Sequence, residues 1–91
     1  MCTYLTEKID VAGSGKGAQG WFPVSDALVY VDHPYHAPYE HTVNIDLVNP
    51  GQGPSARVAL ELTEEAALAL ADAIHRALAA APPGLASATQ R

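Results

Sequence analysis

Apolar and polar residues alternate in three stretches of this chain. Residues 4–11 set Leu5, Ile9 and Val11 on one side and Thr6, Lys8 and Asp10 on the other. A period of two marks a strand with one face buried, so a first strand is expected here. Glu7 breaks the pattern by sharing the apolar side. Residues 41–48 alternate again, with Val43, Ile45 and Leu47 opposed to Thr42, Asn44 and Asp46. Residues 56–62 do the same, with Val58, Leu60 and Leu62 inward and Arg57 and Glu61 outward. Between the first two alternating stretches lies the short apolar, β-favouring run Ala27-Leu28-Val29-Tyr30-Val31, which reads as a central strand.

The period then changes. From 64 to 81, Ala67, Leu70, Ala71, Ile74, Ala77 and Leu78 recur at the i, i+3, i+4 spacing of one helix face. Thr63 is a suitable N-cap, Glu64 and Glu65 complement the positive end of the helix dipole, and Pro82-Pro83-Gly84 stops the helix. Residues 12–20 (AGSGKGAQG) show no apolar period and predict a flexible loop, and 49–55 (NPGQGPS) is turn chemistry.

These elements predict an α+β fold: a four-stranded, mainly antiparallel sheet followed by one C-terminal helix, β-β-β-β-α. A single domain is expected over 1–81, with a Pro/Gly stop and a flexible tail over 82–91. The helix is expected to cover the sheet face made by Val43, Val58 and Leu60. The other face, with Tyr30, Val48 and Trp21, is apolar enough to need a second subunit. A homo-oligomer is therefore expected. Size points the same way, because a chain of 91 residues buries only about 60% of the surface its unfolded form exposes.

Charge narrows the partners. The formal net charge is −5 with only five Lys and Arg, and these are scattered. Nucleic acid requires a basic face that releases counterions, and an anionic membrane surface requires the same. Neither is expected as a partner. A small neutral or cationic ligand, or another protein, fits better. No apolar run approaches the ~20 residues of a membrane span. The opening MCTYLTEKID lacks the basic-then-apolar order of a signal peptide. With one cysteine and no internal disulfide to form, the expected location is cytoplasmic.

The densest chemistry is DHPYHAPYEHT, residues 32–42, which holds three of the four histidines. His33, His36 and His41 are spaced H-x2-H-x4-H, with Asp32 and Glu40 beside them. Pro34 and Pro38 fix φ and lower the entropy of holding side chains convergent. Neutral imidazoles with a carboxylate suit a divalent transition metal, Zn, Fe, Ni, Mn or Cu. The expected ligands are His33, His36, His41 and Asp32. Metal-free acid–base work or ligand binding is the competing reading of the same residues, and a proline-stiffened surface loop is the third.

Four other features bear on a site. Cys2 becomes the N-terminal residue if Met1 is removed, and an α-amine beside a thiol can chelate or activate it. Glu7, on an apolar face, is placed as an acid or base of raised pKa would be. With Glu40, these are the expected catalytic groups. Tyr35 and Tyr39 offer apolar rings and polar hydroxyls for a substrate pocket, and Lys16 or Trp21 would swing inward if residues 12–20 close as a lid. GSGKG, residues 13–17, is no P-loop, since Gly17 follows Lys16 where Ser or Thr belongs and no helix comes next.

The segments MCTYLTEKI, DHPYHAPYEHT with NID, and GPSARVALELT resemble a group of small uncharacterised proteins from actinobacteria. The likeness covers residues 1 to about 80. It implies a free-standing bacterial domain and brings no activity with it. The leading expectation is a small oligomeric enzyme of bacterial small-molecule metabolism with a histidine-cluster site, its reaction a hydrolysis, an isomerisation or cyclisation, or an oxygenation. The alternative is a metal-free module that binds a small ligand or another protein.

Overall fold

A computed structural model of the chain describes residues 4–87. Four antiparallel strands lie side by side in sequence order: β1 (Thr6–Gly17), β2 (Gly20–Asp32), β3 (Thr42–Val48) and β4 (Arg57–Leu62). A short 3-10 turn (Pro50–Gln52) joins β3 to β4, and one helix, α1 (Glu64–Ala80), follows the sheet. The β-β-β-β-α order expected from the alternation is the order found.

The largest departure lies in the glycine-rich stretch. Expected as a loop, it continues β1 to Gly17 and returns as β2 from Gly20, leaving only Ala18 and Gln19 for the turn. Gly20 follows that turn with φ 111°, at a position where glycine is favoured. Pairing with β2 makes the strand, which local periodicity could not show because glycine has no side chain to alternate. The register shifts once, where Val11 and Ala12 of β1 face the single residue Ser25 of β2. Such a bulge bends a strand and increases its twist.

Beyond the bend, β1 comes into contact with β4 although the two are opposite edges of the sheet. Gly17 permits this approach: a Cβ there would lie 2.7 Å from the carbonyl oxygen of Ser55 and 3.3 Å from that of Arg57. The enclosed space holds the buried core of Phe22, Val24 and Ala56, with Val11, Leu47 and Val58 packed against it. Phe22, 7% exposed, supplies the largest share. Burying such a side chain is worth about 1.5–3 kcal/mol.

Cross-strand partners share a face, so the register sorts the rest of the sheet. Tyr30, Asn44 and Glu61 stand in one row across β2, β3 and β4, beside a row of Leu28, Asp46 and Ala59. On the opposite face, Val29, Ile45 and Leu60 form a row between Ala27-Leu47-Val58 and Val31-Val43-Leu62. One face is thus polar and the other apolar.

Thr63 caps α1 as expected, its hydroxyl accepting from the Ala66 N–H at 3.1 Å. The helix does not cover the apolar sheet face. It touches the sheet sparsely, chiefly at β3 and β4, and carries no buried residue. Thr63 is the only residue between Leu62 and Glu64, and its backbone is extended (φ −64°, ψ 162°). Turning a helix back onto its own sheet ordinarily takes about 2–6 linking residues. With one, α1 rests only lightly on β3 and β4. The chain is accordingly open, with a radius of gyration of 14.6 Å against about 12 Å for a compact chain of this length.

Candidate functional site

The polar sheet face and the histidine loop, residues 33–41, meet to form a groove. Its floor is a set of linked side chains. The Tyr30 hydroxyl donates to Asp46 Oδ2 at 3.0 Å, and Arg57 Nη2 donates to Asp46 Oδ1 at 2.8 Å. Asp46 is therefore held by both neighbours, its side chain only 15% exposed. Burial raises the pKa of the Tyr30 hydroxyl, and its bond to Asp46 raises it further. Beside them the Thr42 hydroxyl donates to Asn44 Oδ1 at 2.5 Å, and both residues are buried. Lower on the same face Lys8 pairs with Asp26 at 3.4 Å, and Asp26 also accepts from the Ser25 hydroxyl at 2.5 Å. The Ser25 bond, with Lys8 adding to it, lowers the Asp26 pKa.

The wall is the loop, and Glu61 holds it. Three successive backbone N–H groups, of Tyr35, His36 and Ala37, donate to the Glu61 carboxylate, with His36 at 3.0 Å and Ala37 at 2.8 Å. Consecutive amides aimed at one anion form a nest of the kind that favours negative charge. The Ala37 N–H is the strongest influence lowering the Glu61 pKa, against a smaller opposing effect of burial, and the Tyr35 and His36 amides add to it. The base of the loop is tied as well. Asp32 Oδ1 accepts from the His33 N–H at 2.7 Å, and His33 Nδ1–H donates to the Glu40 carbonyl at 2.7 Å. That bond requires the Nδ1-protonated tautomer, because a carbonyl oxygen only accepts. The rings of His33 and His41 stack with centroids 4.4 Å apart. Between wall and floor lies a space of about 730 Å³ bordered by Tyr30, Asp32, His36, Asn44, Asp46 and Arg57.

The expected site residues fall into separate places. Asp32, His33, Tyr35 and His36 border the groove. His41 reaches it only through its stacking on His33. Glu40 contributes its carbonyl, and Tyr39 is exposed outside the lining. Lys16 and Trp21 pair across the far end of the β1–β2 hairpin, at the opposite end of β2 from the loop. That position takes both out of the expected pocket, and the pairing of 13–17 with 20–24 as a hairpin removes the lid. Glu7 is exposed on β1 opposite Val29, on the apolar face and away from the groove. Cys2 lies outside the described residues. Among the described residues, no group of three or more His, Cys, Asp or Glu side chains is placed to hold a metal ion.

Tyr30, Asn44, Asp46, Arg57 and Glu61 were not among the expected site residues. Their signal was present in the alternation, which set Asn44 and Asp46 on one side of β3 and Arg57 and Glu61 on the outward side of β4. What the sequence did not show was that the loop folds onto that side.

No helix of the described residues is long and apolar enough to cross a membrane. A family model described as a family of unknown function, DUF6295, matches residues 1–87. No curated protein and no solved structure matches the chain.

Proposed function

The chain belongs to the DUF6295 family, and on that premise we propose that it is a cytoplasmic module that binds a small ligand in the groove beneath the histidine loop. The observation that carries this reading is the Glu61 nest, which fixes a loop of ligand-capable residues over the Tyr30–Asp46–Arg57 set. A wall held by three amides on one carboxylate is a preorganised site, and preorganisation lowers the cost of binding. The groove borders Asp32, Asp46 and Glu61 against one guanidinium, Arg57. The Tyr30 hydroxyl and the Asp46 carboxylate keep acceptor lone pairs after their mutual bond. The fitting ligand is cationic or neutral and presents N–H donors, in line with the net charge of −5.

The test is an amide-resolved NMR screen of the untagged chain against small amines, guanidines, amides, carboxylates and phosphates. Amines, guanidines or amides are expected to shift Tyr30, Asn44 and Asp46, and Asp46→Asn to weaken that binding. Shifts produced only by anions, or none at these positions, would refute the reading.

The density of His33, His36 and His41 in one loop carries a second reading, the metal-dependent enzyme, which requires the stacked rings of His33 and His41 to part and turn with Asp32 or His36 onto a divalent ion. Zinc and nickel titration of the same untagged protein separates the two. Stoichiometric binding lost in His33→Ala/His41→Ala would favour the enzyme; no binding would leave the ligand module.

A further inference from the structure

Two apolar surfaces of this chain are left uncovered, and each has the shape the other needs. The sheet face presents Ile9, Val29, Val31, Val43, Ile45 and Leu60 in adjoining rows, with Ile9 55% exposed and Val31 and Leu60 also open. The helix presents Leu70, Ile74 and Leu78 on one stripe, with Ile74 53% and Leu78 57% exposed. A helix of 17 residues is about 25 Å long, and the seven residues of β3 span about 23 Å. The helix therefore matches the length of the strand it would cover, with the Leu70–Leu78 stripe spanning about 12 Å of it. Its own sheet it touches only sparsely, with no residue of α1 buried and Thr63 alone linking β4 to α1.

We propose that a second copy of the chain covers both surfaces, the α1 of each protomer lying on the apolar sheet face of the other. Area supports a full subunit contact. The surface is 7102 Å², whereas a compact chain of 9.5 kDa exposes about 5,000 Å². The excess is more than twice the roughly 800 Å² that a stable interface takes from each partner, a margin that leaves room for ordinary chain ends. Exchange of the two helices is isologous, as a two-fold dimer requires: stripe meets sheet twice, by the same residues. The groove beneath the histidine loop opens mainly on the polar face and meets the proposed contact only at its rim, where Leu60 and Leu62 border it.

Light scattering on the full chain tests the mass, and crosslinking tests the geometry. The expected mass is twice 9.5 kDa, falling to the monomer value in Ile74→Glu. For the geometry, Cys2→Ser chains carrying either Ile74→Cys or Ile45→Cys are refolded together and oxidised. The expected product joins position 74 of one chain to position 45 of the other, and that result stands even if Ile74→Glu fails to fold. A monomer at every concentration would overturn the proposal, and so would a dominant 74-to-74 product, which reports helix on helix.

Discussion

Ala37 donates its backbone N–H to the carboxylate of Glu61 at 2.8 Å, across 24 positions of sequence. With Tyr35 and His36 it makes one side chain of β4 the anchor of a loop between β2 and β3. Glu61→Ala is expected to accelerate amide hydrogen exchange at residues 35–37 while leaving the β2–β3 ladder amides unchanged. Glu61→Gln keeps one carbonyl oxygen and should fall between. Equal exchange in all three proteins would mean that the ties at His33 hold the loop without Glu61.

The same bonds fix a pH dependence. Amides that favour the ionised carboxylate lower the folded pKa of Glu61 below its ordinary 4.5. A group shifted this way contributes stability above its unfolded pKa, and the contribution disappears as pH falls through the folded value. The loop should therefore stay docked at neutral pH and come free in acid, below 4.5. Carbon-detected NMR of the Glu61 carboxyl is expected to titrate below that value, with the Tyr35 and Ala37 amide shifts moving at the same midpoint. A midpoint at or above 4.5 would remove the nest as an influence.

Elements that carry their own pattern were legible in the sequence, and those made by a distant partner were not. Val43, Ile45 and Leu47 announce β3 because each alternate side chain meets an apolar neighbour, and Thr63 announces α1 because its cap bond is local. Residues 13–17 announce nothing, since their strand is created by pairing with residues 20–24 across the hairpin. Lys16 and Trp21 were misplaced for the same reason: a segment read as a mobile lid is a paired hairpin end. The histidine loop stood out by composition, but its conformation depends on Glu61, which reads alone as an ordinary outward residue of β4. Asking which group satisfies the amides of 35–37 would have pointed to a carboxylate, without saying which one.

The close contact of β1 with β4 makes two glycines respond oppositely. A Cβ on Gly13 would meet nothing within 4 Å, so Gly13→Ala should stabilise the fold by about 0.5–1 kcal/mol through the unfolded chain. A Cβ on Gly17 would meet the Ser55 carbonyl at 2.7 Å and Phe22 Cε1 at 3.2 Å. Backbone there must shift, and Gly17→Ala should cost about 1–3 kcal/mol. Urea denaturation of the two variants checks the sign of each. Destabilisation by Gly13→Ala equal to that by Gly17→Ala would mean that backbone freedom, rather than space at the β1–β4 approach, is what the glycines supply.

Thr63 links the helix cap to the proposed pairing of chains. Its hydroxyl satisfies the Ala66 N–H, and replacing such a cap by alanine costs about 1 kcal/mol of helix stability. In an isolated chain that loss would stay local, because α1 carries no buried residue and its end can fray without disturbing the sheet. If each α1 lies on a second copy, the helix must be formed for the dimer to exist, and the cost passes into the association constant. Thr63→Ala is then expected to weaken dimerisation by about fivefold for each of the two helices, with thermal melting that depends more steeply on protein concentration. Sedimentation equilibrium of the variant beside the parent chain measures this directly. An unchanged dimer constant, with helicity lost only in the first turn of α1, would place the helix outside the interface.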